Sequence, residues 1–169
     1  FGHKSPDTDS TGSPLIWEWF LNHTGIEAKA ALLGTPNTEA QFVAKRWGFD
    51  LPEVIADVQD DQSCVIVDTN NPAELPANIN SADVLAIIDH HLLVGGLHTK
   101  KPINITIRPL ACTATIMHQM MGDHAGHMPE GIKGLMLSCI LSDTLAFRSP
   151  TTTEMDKEIA EALAKDLGI

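Results

Sequence analysis

A chain of 169 residues with a hydrophobic share of 43% has the size and apolar content of one globular domain. Eleven Lys and Arg against 22 Asp and Glu leave a formal net charge of −11, which argues against nucleic-acid or anionic-membrane binding and requires cations before a polyanionic substrate can approach. No apolar run is long enough to span a bilayer and no secretory signal is visible; Cys64, Cys112 and Cys139 read as reduced thiols of a cytoplasmic protein.

In chain order, Phe1 to Asp9 reads as a loop, because Gly2, Pro6 and the closely spaced Asp7 and Asp9 disfavour regular structure. We expect it to follow a strand that has been clipped from the start of the chain. Ser13-Pro14 predicts an N-cap and first helical residue, with Trp17, Phe20 and Leu21 recurring at helical spacing and Gly25 closing the helix. A short apolar strand is expected over 27–33, and Asn37 caps a helix with Phe42, Val43 and Trp47 as its buried positions. Ser63 to Asp68 and Val84 to Asp89 are each continuously apolar until a final carboxylate, as in strands covered on both faces. Asn104 to Arg108 alternates polar and apolar, which suits a strand with one wet face or one at a sheet edge. Helices are predicted over about 113–121, 131–146 and 153–167, the last with Thr153 and Asp156 as a capping box and Gly168 as its stop. Strands alternating with helices predict an α/β fold, a mostly parallel sheet with helices on both faces, whose sites form beyond the carboxyl ends of the strands.

Candidate ligands collect at those ends. His3, Asp7 and Asp9 share the first loop, Asp68 ends one apolar run, and Asp89-His90-His91 ends another. Asp143 interrupts an apolar helix, where an unpartnered carboxylate would cost several kcal/mol. So many carboxylates repel one another unless divalent ions neutralise them, and two ions about 3.5–4 Å apart are the usual arrangement for hydrolysing phosphate esters or anhydrides. Imidazoles mixed with carboxylates favour manganese or a similar transition ion over magnesium. Elsewhere Asp123, His124 and His127 have a spacing that could chelate a metal but read as a solvated Gly-rich loop, His23 as a helix-end residue complementing the dipole, and Met117, Met120 and Met121 as core. Lys100-Lys101 reads as a solvated pair, and Thr113 and Thr115 as helix caps or as donors to phosphate.

Together His3-Lys4-Ser5-Pro6-Asp7-Thr8-Asp9, Val67-Asp68-Thr69-Asn70, Ile88-Asp89-His90-His91, Ala111-Cys112-Thr113-Ala114-Thr115-Ile116 and Ser142-Asp143-Thr144 resemble the N-terminal domain of the family II, manganese-dependent inorganic pyrophosphatases, members of the DHH phosphoesterase superfamily. The resemblance covers almost the whole chain, in order. It implies that His3 and Asp7 hold one Mn2+, that Asp9 and His90 hold the second, and that Asp68 and Asp143 bridge them, with Co2+ or Mg2+ as possible substitutes. His91 would then be the catalytic residue, contacting substrate phosphate and protonating the leaving group, while a hydroxide between the ions attacks in line. Asp89 is expected to orient a histidine rather than bind metal.

The resemblance also implies that residues 1–169 form the metal-binding catalytic domain alone. In the family a second, C-terminal domain supplies the Lys and Arg that grip pyrophosphate, including a Ser-Arg-Lys-Lys segment that is absent from this chain. It implies a homodimer as well, for which the 104–108 strand is a candidate edge. Two other readings stand beside pyrophosphate hydrolysis. One is a manganese-dependent DHH phosphodiesterase or oligoribonuclease; the other is an isolated domain that binds metal without efficient turnover.

Overall fold

A computed structural model describes residues 1–169. The apolar runs form the centre, a three-stranded parallel sheet of β3 (Ser63–Val67), β4 (Asp83–Asp89) and β5 (Asn104–Ile107), in the order β3-β4-β5. A two-stranded parallel sheet joins β1 (Ala31–Leu32) to β2 (Glu53–Val54). The first is much shorter than the 27–33 strand expected, and the second, exposed along its length, has no apolar signature to betray it. The helices are α1 (Thr8–His23), α2 (Thr38–Arg46), α3 (Thr113–Met121), α4 (Glu130–Asp143) and α5 (Glu154–Leu167).

The sheet's two faces are covered by different means. One carries all five α-helices, in a core that includes Ile16, Val67, Ile88, Met117, Ile140 and Leu163. The other, presenting Ile66, Val84 and Ile87, is covered by the β3–β4 connection with its short 3-10 turns, Pro72–Glu74 and Ile79–Ser81, which contribute Leu75 and Ile79. Val84 and Ile87 share a face despite odd spacing because the pairing slips one residue at Leu85, opposite Cys64 and Val65.

Several boundaries differ from expectation. α1 begins at Thr8, with the Asp7 carboxylate accepting from the Ser10 amide at 2.9 Å, so Pro14 lies inside the helix rather than at its first position. The first loop packs so closely on this turn that a Cβ at Gly2 would lie 2.0 Å from the Ser10 hydroxyl oxygen. In α2 the core side is Ala40, Val43 and Ala44, which leaves Phe42 67% exposed. α4 stops at Asp143, three residues short of the expected end, because Leu145, Ala146 and Phe147 all adopt positive φ (51°, 51° and 66°). α5 has the Thr153–Asp156 capping box and the left-handed Gly168 expected from the sequence.

β3 has a partner on its outer edge. The Phe1 amino group donates to the Val65 carbonyl at 3.2 Å and the Phe1 carbonyl accepts from the Val67 amide at 3.0 Å, the slanted pattern of a parallel pair. Beyond Phe1 this lane continues as a cleft of about 290 Å³ between β1 and β3, lined by Trp17, Ala31, Cys64, Val65 and Leu85.

Candidate metal centre

β3 and β4 run in register, with Val67 opposite Ile88, so the residues that follow them arrive side by side at the carboxyl edge of the sheet. The Asp68 amide still donates to the Ile88 carbonyl at 2.9 Å, after which the chain swings into the left-handed region at Asp68, φ 59°. Such a backbone costs about 1–3 kcal/mol in a non-glycine residue and persists where its surroundings over-determine it. Its effect here is to hold a buried carboxylate at the centre of the candidate ligands.

Asp68 Oδ2 lies 3.5 Å from His3 Nε2, and Asp68 Oδ1 lies 3.3 Å from His90 Nε2. His3 Nε2 is also 3.8 Å from Asp7 Oδ2, and His90 Nε2 is 3.9 Å from Asp143 Oδ2. Two donor groups result, His3 with Asp7 and Asp68, and Asp9 with His90 and Asp143; within each, the ligand atoms all lie within 4.8 Å of one another. Asp68 also groups with His90 and His91, so it adjoins both sets.

The neighbouring helices fix these side chains. Asp9 is buried in the first turn of α1 and receives the Thr113 amide at 2.7 Å, the Ala114 amide at 3.3 Å and the Ser13 hydroxyl at 2.7 Å. It thereby caps α3, whose own N-cap residue, Cys112, makes no side-chain cap. These bonds leave an ionised carboxylate with acceptor capacity to spare. His90 Nδ1 stands 3.2 Å from the Leu110 carbonyl. A carbonyl accepts only from N–H, so in the neutral ring Nε2 turns a bare lone pair toward Asp68 and Asp143.

Acceptor facing acceptor is the signature of a cation site. Asp68 Oδ2 and Asp143 Oδ2 are buried with no hydrogen-bond partner, a state that costs free energy unless something positive sits between them. Burial, reinforced by Asp9 and Asp7, drives the Asp68 carboxyl well above its ordinary range. Burial together with Asp9, Asp68 and Asp7 pushes Asp143 up to about 10. At Asp7 burial opposes the charge, yet the His3 ring and the Ser10 amide hold it below its usual value. The donor set therefore fits divalent ions bound by mixed imidazole and carboxylate.

His91 is placed differently. Its Nδ1 lies 2.8 Å from Asp89 Oδ1, which also receives the His91 amide at 3.0 Å. The hydrogen bond to Asp89 raises the His91 pKa above its ordinary value, against the burial that lowers it. Half of the His91 side chain remains exposed (51%). Behind Asp89 stands Asn70, the last residue of the Val67-Asp68-Thr69-Asn70 motif, for which the sequence suggests no role of its own. It donates to Asp89 Oδ2 at 2.6 Å and to the Leu92 carbonyl at 2.9 Å, and accepts from the Val94 amide at 2.7 Å. Its signal in the sequence is its place, a polar amide three residues after a buried strand ends. Thr113 hydrogen-bonds Asp68 Oδ1 through its hydroxyl at 3.2 Å, and Glu39 accepts from both Thr8 and Ser142, beside Asp7 and Asp143.

Comparison with known proteins gives this geometry its context. The sequence profile described as the DHH family, N-terminal domain, matches residues 1–144. The chain belongs to the DHH family. This DHH chain is 39% identical over 170 residues to a Lactobacillus acidophilus protein described as a probable manganese-dependent inorganic pyrophosphatase; the match takes in 100% of the chain and 54% of that relative. A protein of the same description from Archaeoglobus fulgidus is 37% identical over 180 residues, covering 99% of the chain and 55% of the relative. Among solved structures, a Methanococcus jannaschii protein described as a family II inorganic pyrophosphatase superposes with a TM-score of 0.88 at 35% identity, over 99% of this chain and 55% of its own. An exopolyphosphatase-related protein from Bacteroides fragilis shares the fold, with a TM-score of 0.74 at 16% identity. The DHH chain spans about half the length of the curated relatives it matches.

Away from the centre, the remaining candidates of the DHH chain have structural roles. Burial drives the Cys112 and Cys139 thiols well above their ordinary range, which leaves them unreactive. Met117 and Met121 lie in the core, and Lys100 and Lys101 pair with Asp61 and Asp83 at the surface. No helix is long and apolar enough to cross a membrane.

Proposed function

We propose that this chain is the metal-binding half of an enzyme that hydrolyses inorganic pyrophosphate to two phosphates with a pair of manganese ions. The observation that carries the reading is Asp68, 3.5 Å from His3 on one side and 3.3 Å from His90 on the other, at the junction of two donor groups. His3 and Asp7 would hold one ion, Asp9 and His90 the other, with Asp68 and Asp143 between them. Bound there, the ions supply Lewis acidity, generating hydroxide near neutral pH and neutralising phosphate charge. Mixed nitrogen and oxygen ligands suit Mn2+, with Co2+ or Mg2+ as possible substitutes.

The chain's own residues divide the remaining work. The Asp89 carboxylate holds His91 Nδ1–H and favours the imidazolium, the form whose Nε2–H would be donated to the departing phosphate. Asn70 fixes Asp89 in turn. Asp9 ties the first turn of α1 to the start of α3, which keeps the two helices at a constant separation across the site. Basic groups to grip pyrophosphate would come from the half of the relatives' length that this chain does not span.

Three further readings accompany this one. The lane beside β3, begun by Phe1 and continued by the cleft, fits one more parallel strand leading into Phe1. β5 lies at the edge of its sheet with Ile105 56% exposed, which supports homodimer formation along that edge; sedimentation as a monomer only would count against it. The free state of Cys64, Cys112 and Cys139 supports a cytoplasmic setting.

The direct test supplements the manganese-loaded chain with the C-terminal half of the Lactobacillus relative. Phosphate and nucleotide release are then followed from pyrophosphate and from a short oligonucleotide. We expect phosphate release from pyrophosphate, lost in Asp68→Ala. Nucleotide release alone would favour the phosphodiesterase reading, and manganese binding with no restored turnover would favour a non-catalytic module.

A further inference from the structure

A second cluster of imidazoles lies outside this centre. His23 is the last residue of α1, while His124 and His127 belong to the 3-10 helix Gly122–His127 that follows α3. Although His23 is remote from the other two in sequence, each ring offers one nitrogen within 4.8 Å of those from the other two, and all three residues are exposed. The ring centroids are 5.5 Å apart for His23 and His124, 5.5 Å for His23 and His127, and 6.3 Å for His124 and His127. Three imidazoles bound to one tetrahedral ion, at metal–nitrogen distances of about 2.0–2.1 Å, have centroids about 5 Å apart. A sub-ångström inward movement of exposed side chains closes the difference.

We propose that His23, His124 and His127 form a surface site for a first-row transition ion of the zinc and nickel class, distinct from the paired manganese centre. Three neutral imidazoles without a carboxylate select Zn2+, Ni2+ or Cu2+ over Mn2+, Mg2+ and Ca2+, which want oxygen ligands. The ligand set leaves a fourth position open to water, as three-histidine zinc sites do. The rings are steered by aromatic neighbours: His23 stacks on Trp19 one turn back, centroids 5.0 Å apart and planes within 15°, and His124 meets the edge of Phe20 at 5.9 Å. An ion held there staples the C-terminal end of α1, opposite the end that carries Asp9, to the connection between α3 and α4.

Trp19 makes the site visible. Chain preloaded with Mn2+ is titrated with Ni2+ while tryptophan fluorescence is followed, and then with Zn2+ while bound metal is counted by elemental analysis. The parent should bind one more Zn2+ per chain than His124→Gln or His127→Gln, and Ni2+ should quench its fluorescence at concentrations about tenfold or more below those the variants need. Because the substituted rings are exposed, both variants should keep the parent's rise in melting temperature on adding Mn2+; its retention shows that the fold and the paired centre are intact. Equal zinc counts and equal quenching in parent and variants would overturn the proposal without touching the manganese reading.

Discussion

At the scale of single residues, the centre gathers carboxylates whose mutual repulsion a bound proton or a metal cation relieves, and Asp143 reports it most clearly. Burial and the nearby Asp9, Asp68 and Asp7 carboxylates push it up to about 10, against an ordinary value of about 3.9 in the unfolded chain. The metal-free folded form therefore keeps a proton that the unfolded form releases. Its contribution to stability is fully present below about pH 4 and is lost progressively as the pH rises toward 10. Asp143→Asn should melt higher than the parent at pH 8 in chelator, with a flatter dependence on pH. The same variant should lose most of the manganese response, which for the parent at one hundred times Kd is about 2.7 kcal/mol, or roughly 5–10 °C in melting temperature. Parallel melting curves for the two proteins would refute this assignment. Asn70→Ala leaves Asp89 Oδ2 and the Val94 amide without their partner. It should cost about 1–3 kcal/mol in urea unfolding and lower the His91 contribution to turnover in the complete enzyme.

At the scale of elements, the sequence exposed the strands of the central sheet more faithfully than the helix ends or the short β1 and β2. Ser63 to Asp68 and Val84 to Asp89 were legible because an unbroken apolar run closing on a carboxylate suits little besides a buried strand that ends at the sheet's edge, and both strands lie in the sheet. The start of α1 was misread because Ser13-Pro14 carries a stronger local signal than Asp7, although the Asp7 side chain makes the capping bond. The stop of α4 was misread because Leu145, Ala146 and Phe147 look helical by composition, while the fold bends them into three consecutive left-handed residues right after Thr144, the C-cap. Each such residue costs about 1–2 kcal/mol when it carries a Cβ, a strain that places the end of α4 against the site. Ala146 is exposed, so Ala146→Gly should raise the urea midpoint by an amount equivalent to about 0.5–1 kcal/mol, the relief exceeding the added freedom of the unfolded chain. No change or a loss in the midpoint would mean that the turn is not strained.

At the scale of the whole molecule, a parallel sheet delivers Asp68 and Asp89-His90-His91 to one edge, and three helices bring their ends to it. α1 contributes Asp7 and Asp9 at its start, α3 its first amides, and α4 Asp143 as its last residue. The candidate ligands stand out because they sit at element ends or, as with His3, on the loop before α1, where a charge has no packing role. What stayed hidden were the partners that hold them, Asn70, Glu39 and the amides of Thr113 and Ala114, since those pairings join segments distant in the chain. The cluster of His23 with His124 and His127 was hidden for the same reason. The central claim is that two manganese ions share Asp68, and anomalous scattering at the manganese edge from crystals grown with Mn2+ tests it directly. We predict two peaks flanking the Asp68 carboxylate, one beside His3 and Asp7 and the other beside Asp9, His90 and Asp143. A single peak, or peaks only at other carboxylates, would contradict it.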